Sequence, residues 1–222
     1  MRDDIITIDG PSGVGKGTLA RKLAKVLGYH FLDSGAIYRL AALMLIKNRI
    51  GVEDEAKMRD AVKNMRIDFK VGGDQTEIYL DDQAVTRKIR AESVGMWASK
   101  IAALASIRAA LLQKQRDFAE LGKGLVADGR DMGTVVFPSA KYKFFLDADS
   151  KVRAKRRFDE LIAKGQKVDF STILAELERR DFHDRNRKQA PLKPAKDAVI
   201  IDTGDLSIDE VFARVYHRVH NP

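Results

Sequence analysis

The chain has 222 residues, of which 45% are apolar, and this suits one α/β domain with a modest insertion. It contains no cysteine, which excludes disulfides and thiolate metal sites and favours a reducing, cytoplasmic location. The formal net charge is +8, and much of the excess lies in residues 151–189, which hold 12 Lys or Arg against 7 Asp or Glu. A basic segment of this kind is typical of proteins that bind nucleic acid, membrane surfaces or phosphorylated small molecules. We expect no secretory leader, because the first residues lack a basic start followed by an apolar core.

The first element is an apolar strand at residues 5–8, followed by the stretch GPSGVGKGT and a helical pattern at 19–27. Strand, glycine-rich loop and helix in this order are the context of a phosphate-binding loop. Glycines let successive N–H groups point at one anion, and the helix adds the positive end of its dipole. Lys16 supplies a mobile positive charge for the phosphates. The predicted nucleotide-binding residues are Gly10, Pro11, Ser12, Gly13, Val14, Gly15, Lys16, Gly17 and Thr18.

One detail of this loop departs from the common GxxxxGK[ST] pattern. Lys16 is followed by Gly17, and the hydroxyl comes one position later, at Thr18. The pattern therefore leaves open whether Thr18 contacts magnesium directly or through water.

A short strand at 29–32 and a helix at 36–47 come next, after a first helix that we expect to end at Gly28. In open α/β sheets, ligands gather beyond the carboxyl ends of strands. Asp33 or Ser34 also suits the N-cap of the following helix, and capping does not exclude ligand contact. The polar residues at this strand end are Asp33, Ser34, Tyr38 and Arg39.

The βα pattern is then interrupted. A polar helix at 51–64 precedes three short segments in which polar and apolar residues alternate, with turn signals at 72–74 and 81–82. These segments predict an antiparallel meander within an inserted lobe at 63–87. They lie at residues 66–71, 77–80 and 83–85.

Residues 92–121 form a predicted helical region. Apolar residues recur in it at three- and four-residue steps and predict a core stripe. Ser99 and Arg108 lie off this stripe, so by themselves they suit solvated surface positions. The stripe consists of Trp97, Ile101, Leu104, Ile107 and Leu111.

The remaining strands are predicted at 125–127, 143–147 and 198–202, and Ser207 to Glu210 form a capping box for the last helix. Asp128 follows the first of these strands, where a second acidic residue often helps to position magnesium in nucleotide-binding folds. Arg130 and Asp131 form a charged pair in the next turn, for which a surface ion pair is the alternative interpretation.

Two helices joined by a glycine break precede the last strand, at 150–164 and from about residue 171. Arg153 and Arg157 are four residues apart and share a face of the first helix. An arginine-rich helix pair suits a mobile lid, with a solvated basic face as the alternative. In the second helix, the apolar side is predicted from Ile173, Leu174, Leu177 and Phe182, and another face carries Arg180, Asp184 and Arg187.

Four stretches carry a family resemblance: GPSGVGKGT at 10–18, DSGAIYR at 33–39, ADGRDMGTVVFP at 127–138 and RRDFHDRNR at 179–187. Together they resemble the bacterial-type cytidylate kinases, a branch of the nucleoside monophosphate kinases, over nearly the whole chain. The resemblance implies a three-layer P-loop α/β fold with a five-stranded parallel sheet, helices on both faces, a small antiparallel β lobe and an arginine-rich helical lid. Within a single kinase domain, 1–222, we expect a core at 1–35, 91–150 and 190–222, a monophosphate-binding lobe at about 36–90 and a lid at about 151–189.

The same resemblance implies transfer of the γ-phosphoryl of ATP to CMP or dCMP by a cytoplasmic monomer that binds neither nucleic acid nor membrane. Mg²⁺ would arrive with ATP, with Thr18 or Asp128 as its candidate contacts, and the four histidines show no metal-ligand spacing. The implied catalytic residues are Lys16, Arg130, Arg153, Arg157 and Arg187. The implied acceptor residues are Arg39, Arg130 and Arg187 for the phosphate, Ser99, Arg108 and Asp131 for cytosine, Arg180 and Asp184 for the sugar, and Ser34 and Tyr38 lining the site.

Other classes of protein fit the sequence less well. A GTP-binding switch on the same fold would carry an Asn-Lys-x-Asp signature, which the chain lacks. A nucleic-acid module would be expected to space aromatic residues through the basic segment. Within the kinases, a different acceptor such as UMP or a small metabolite is the runner-up, and the protein-kinase signature HRDLxxxxN is absent.

Overall fold

The computed structural model describes residues 4–72 and 75–221. Residues 1–3 and 73–74 lie outside the described residues. The expectation that there is no secretory leader rests partly on the first group, and the predicted turn at 72–74 includes the second. The chain divides into two compact units. Unit 1 combines the residues up to Leu27 with those from Val126 onward, and unit 2 is Gly28–Leu125.

The strands and helices follow one another much as the sequence pattern predicts. The strands are β1 (Ile5–Asp9), β2 (His30–Asp33), β3 (Ile67–Gly72), β4 (Gln75–Leu80), β5 (Gln83–Ala84), β6 (Leu125–Gly129), β7 (Tyr142–Asp147) and β8 (Val199–Asp202). The helices are α1 (Lys16–Leu27), α2 (Ser34–Lys47), α3 (Glu55–Asn64), α4 (Glu92–Ile101), α5 (Ala105–Asp117), α6 (Ser150–Ala163), α7 (Phe170–Asn186) and α8 (Ile208–His220). A single π-helical turn lies at Met132–Val136.

Five strands form one sheet in the order β2-β6-β1-β7-β8. β1 pairs with β7, and β7 with β8, both in parallel register. β1 is buried along its whole length, and Ile8 lies opposite the buried Phe144 of β7. A strand covered on both faces needs a continuous apolar run, which is what residues 5–8 supply. The predicted α/β fold with a five-stranded parallel sheet is confirmed.

The end of α1 and the start of α8, both in unit 1, lie where the sequence predicts. α1 buries Leu19 and Leu23 at four-residue spacing and ends at Leu27, before Gly28. α8 begins after Ser207, whose hydroxyl accepts the Glu210 N–H while the Glu210 carboxylate accepts the Ser207 N–H. The predicted capping box is confirmed, because both of its reciprocal bonds are present.

Unit 2 contains the predicted meander, since β3, β4 and β5 form a three-stranded antiparallel sheet. Its helices differ from the prediction in two places. α3 begins only at Glu55, because the Asp54 carboxylate caps it by accepting the Lys57 N–H. The helical region at 92–121 is broken after α4, and Leu104 lies in an extended conformation before α5 begins. Nothing in the local sequence marks this break.

The helix pair α6–α7 packs through its own apolar cluster, which includes Ala154, Ile173 and Leu177. The prediction that Phe182 continues this apolar side is wrong, because its side chain is 66% exposed. The position four residues after Leu177 is Asp181, and it is this carboxylate that is buried. The arginine-rich helix pair therefore exists as predicted, but its inner face ends on a charged group.

Within the described part of the chain, no single helix is long and apolar enough to cross a membrane. The segments Ser93–Ile101 and Ala105–Leu121 reach that length and composition only when taken together, as a pair bent by 101°.

Candidate active site

The loop between β1 and α1 is built to receive an anion. A Cβ atom at Gly10 would lie 2.1 Å from the Leu146 carbonyl oxygen, so only glycine fits there. Gly13 has a φ of +83°, in the region that favours glycine. No acidic residue occupies the first turn of α1, so its N-terminal dipole is not neutralised within the helix. Lys16 is buried, and its Nζ donates to the Pro11 carbonyl oxygen at 2.7 Å, which folds its charge back over the loop.

Two oxygen-bearing side chains beside the loop suit a hard cation. A Cβ atom at Gly17 would lie 3.2 Å from Oδ2 of Asp128, so this carboxylate borders the start of α1. Thr18 is exposed in the first turn of α1, one residue further on. Carboxylate and hydroxyl oxygens are ligands that Mg²⁺ accepts, usually together with water and substrate phosphates. Among residues 4–72 and 75–221 no group of three or more His, Cys, Asp or Glu is placed to hold a metal ion.

Two arginines and two aspartates of unit 1 form a charged cluster that reaches the loop. Arg130 donates from Nε to Asp184 at 2.9 Å and from Nη2 to the Ser12 hydroxyl at 2.7 Å. Arg187 lies 3.7 Å from Asp131 and 4.0 Å from Asp184. Because each guanidinium has a carboxylate beside it, both cations are held in place before any phosphate binds. The structure thus brings together four of the residues that the sequence assigned to acceptor binding.

Arg153 and Arg157 of α6 occupy different environments, although they are four residues apart. Arg153 is buried and donates to the carbonyl oxygens of Ala148 at 2.9 Å and Ser12 at 3.0 Å. Arg157 is exposed and pairs with Glu160 at 2.7 Å. The Arg153 guanidinium therefore binds a backbone carbonyl of the phosphate loop, while Arg157 lies on the solvent side of α6.

A carboxylate oxygen of Asp181 lies 2.6 Å from Nη2 of Arg153, so Asp181 is the ion-pair partner of this guanidinium. Asp181 was not among the residues predicted from the sequence. The signal was present, because 173, 177 and 181 stand at four-residue steps. A charged residue at the next position of an apolar stripe lies on the buried face of the helix and needs a charged or polar partner there.

Three site residues of unit 2 are held by hydrogen bonds to other residues of the same unit. Asp33 is the N-cap of α2 and accepts the Ala36 N–H at 2.9 Å, while the Ser34 hydroxyl donates to the buried Gln115 at 2.7 Å. Arg39 donates to the Ile89 carbonyl oxygen at 2.9 Å, and burial lowers the pKa of its guanidinium from the ordinary value. The capping role that the sequence allowed for Asp33 is confirmed.

Arg108 and Tyr38 form a second contact in unit 2, with the guanidinium 5.7 Å from the ring centroid. Arg108 also lies 3.4 Å from the Ala102 carbonyl oxygen, at the break between α4 and α5. Ser99 is exposed on α4, and in unit 1 Arg180 is exposed on α7. Arg108 and Tyr38 are thus held by contacts within unit 2, whereas Ser99 and Arg180 are exposed to solvent.

Asp9 is a further residue that sequence reasoning missed. It ends β1 immediately before the loop, is 3% exposed, and accepts the N–H groups of Met132 at 2.9 Å and Gly133 at 2.8 Å. Burial raises its pKa to about 6, opposed by these two hydrogen bonds; Asp131 raises it further and Lys16 lowers it. The signal was a single carboxylate at the end of an otherwise apolar buried strand.

A parallel sheet, a glycine loop between its central strand and the first helix, and an arginine–aspartate cluster bonded to that loop define a P-loop phosphotransferase. The model of the cytidylate kinase family matches residues 6–221. The chain belongs to this family.

Individual relatives agree with this assignment. The chain is 50% identical to a cytidylate kinase from Actinobacillus succinogenes over 216 residues, covering 95% of each chain. It is 51% identical to a cytidylate kinase from Vibrio cholerae over 207 residues, covering 93% of this chain and 92% of the relative. Among solved structures, an uncharacterized protein from Eubacterium ventriosum aligns over both whole chains with a TM-score of 0.53 and 13% identity, which supports the fold alone.

Proposed function

We propose that the chain transfers the γ-phosphoryl group of ATP to CMP or dCMP, giving ADP and CDP or dCDP. The observation that carries this proposal is a sequence identity of 50–51%, over nearly the full length, to proteins named cytidylate kinase. The geometry of unit 1 agrees, because Arg130 donates to Ser12 of the phosphate loop and Arg187 joins the same charged cluster through Asp131 and Asp184.

The chemistry requires positioning and charge more than covalent help. A phosphate acceptor is already ionised near neutral pH, so the reaction needs no strong general base. Lys16 would neutralise charge on the β- and γ-phosphates of the donor. Arg130 and Arg187 would hold the acceptor phosphate, since a planar guanidinium binds phosphate through two parallel hydrogen bonds. The α6–α7 pair, with Arg153 and Arg157, would act as the lid that excludes water from the transferring group.

We propose the following residues for recognition of the acceptor. Asp131 would accept a hydrogen bond from the exocyclic amine of cytosine, as carboxylates accept from cytosine N4 in nucleic acids. Uracil has a carbonyl at that position, so two acceptors would meet and UMP would be disfavoured. The other proposed acceptor residues are Arg39 for the phosphate, Ser99 and Arg108 for the base, Arg180 and Asp184 for the sugar, and Ser34 and Tyr38 lining the site.

The same proposal includes the metal, the assembly and the location. Asp128 or Thr18 would contact the Mg²⁺ that arrives with ATP, directly or through water, and the ion would neutralise phosphate charge. We propose a cytoplasmic monomer, with a core, a monophosphate-binding lobe at about 36–90 and a lid at about 151–189. Its partners would be nucleotides rather than nucleic acid or membrane.

The deciding experiment measures ADP formation from ATP with CMP, dCMP, UMP, AMP and GMP as acceptors. We expect CMP and dCMP to give the highest kcat/KM. A different best acceptor would replace the proposed substrate, and acceptor-independent hydrolysis of GTP would favour a nucleotide switch instead. Salt-sensitive binding to random oligonucleotides would favour a nucleic-acid module.

A further inference from the structure

The π-helical turn at 132–136 begins with a carboxylate that does not cap it. Asp131 stands at the N-cap position, and its carbonyl oxygen accepts the N–H groups of Val135 at 2.9 Å and Val136 at 3.1 Å. An aspartate at such a position ordinarily turns its side chain to the first free N–H groups of its own helix. The Asp131 side chain makes no such bond.

Asp9 accepts those N–H groups instead, from Met132 and Gly133, which lie 123 and 124 residues further along the chain. Its two carboxylate oxygens bind the Met132 and Gly133 N–H groups separately, at 2.9 and 2.8 Å. Because the first N–H groups of the turn already have acceptors, the Asp131 carboxylate remains 3.7 Å from Arg187. Asp9 therefore caps the turn, and the Asp131 carboxylate lies beside Arg187 instead.

The turn lies closely against β1, the strand that carries Asp9. A Cβ atom at Gly133 would lie 2.9 Å from Oγ1 of Thr7 and 3.4 Å from Oδ2 of Asp9. Two residues beyond the turn, the Pro138 carbonyl oxygen accepts a hydrogen bond from Lys143 at 2.6 Å, and Lys143 pairs with Asp197. Asp9 holds the start of the turn, the end that follows Arg130 and Asp131.

We propose that Asp9 is a positioning residue for acceptor recognition: by capping the turn at 132–136 it keeps the Asp131 carboxylate directed at the acceptor base. The inference rests on the proposed function, in which Asp131 reads cytosine. In this role Asp9 acts through Asp131 rather than on a reacting atom.

The first test is Asp9→Asn, which keeps the volume of the side chain but replaces one acceptor oxygen with an NH₂ donor. One of the two turn N–H groups then loses its acceptor, and the Asp131 side chain, which stands at the N-cap position, can rotate to accept it. We expect the KM for CMP to rise about tenfold, with the KM for ATP changed by less than about twofold. Preference for CMP over UMP should fall in parallel. An equal rise in both KM values would overturn the proposal, because it would show a general structural role.

A double-mutant cycle tests whether Asp9 acts through Asp131. In an Asp131→Ala background, adding Asp9→Asn should change the KM for CMP by less than about twofold, because the group that Asp9 positions is already gone. Additive losses would overturn the proposal.

Controls separate positioning from loss of folding. Asp197→Asn alters another carboxylate near the same turn and should leave both KM values within about twofold of wild type. If Asp9→Asn does not fold, Gly133→Ala tests the same contact with Asp9 intact, and it should also raise the KM for CMP selectively. An unselective effect of Gly133→Ala counts against the proposal. Failure of the wild-type protein to phosphorylate CMP would instead reject the proposed function.

Discussion

The Nη2 atom of Arg153 lies 2.6 Å from a carboxylate oxygen of Asp181, and both side chains are buried. The same guanidinium donates from Nη1 to the Ser12 carbonyl oxygen. One buried ion pair therefore joins α6, α7 and the phosphate loop. Removing one partner would leave the other charge buried and uncompensated, which costs far more than the pair itself contributes.

Asp181→Ala should lower the free energy of unfolding by about 3–5 kcal/mol, because Arg153 would keep its burial and lose its counter-charge. Urea denaturation at neutral pH measures the change. The control is Glu160→Ala, which removes an exposed partner of Arg157 and should cost about 1 kcal/mol or less. Similar small losses in both variants would show that solvent reaches Arg153.

Lys16→Ala should reduce turnover by orders of magnitude while the fold is retained. The ammonium group is held over the loop by the Pro11 carbonyl oxygen, where it would meet the donor phosphates, and the loop conformation itself depends on its glycines rather than on Lys16. Steady-state ADP formation gives the turnover, and thermal unfolding monitors the fold. Near-normal turnover would contradict the assignment of a phosphate-binding loop.

The local parts of this fold could be predicted from sequence, and the distant contacts could not. The glycine loop and the Ser207–Glu210 capping box are set by residues a few positions apart, so their pattern is visible in the chain. The partners of Asp9 lie more than 120 residues away, and no local pattern records which N–H groups a buried carboxylate will accept. Asp181 and Phe182 show why hydropathy alone predicts burial incorrectly here: Asp181 is buried and Phe182 is exposed.

Asp131→Ala should weaken CMP binding and leave ATP affinity nearly unchanged. A carboxylate that accepts from the cytosine amine contributes about 1–3 kcal/mol to discrimination, so the Kd for CMP should rise about tenfold or more. Isothermal titration with CMP, UMP and a non-hydrolysable ATP analogue separates the three affinities. Parallel losses for CMP and ATP would point to a structural role for Asp131, through Arg187, or to a role in holding magnesium.

Asp9 should make the stability of the protein depend on pH in an unusual direction. Burial raises its folded-state pKa to about 6 from 3.8, so the folded state binds the proton more tightly than the unfolded state. A raised acid pKa means that the contribution of Asp9 to stability is greatest below 3.8 and is lost as the pH rises through about 6.

Comparison with Asp9→Asn isolates this effect, because the other titrating groups are common to both proteins. Between about pH 4.5 and about pH 7.5, the free energy of unfolding of wild type should fall by about 2 kcal/mol relative to the variant. Urea denaturation of both proteins at the two pH values measures the difference. The charges beside Asp9 act in opposite senses, since Asp131 favours its protonated form and Lys16 its ionised form. A difference that stays constant with pH would mean that the two hydrogen bonds from the 132–136 turn fully offset the cost of burial and keep the pKa of Asp9 at its ordinary value.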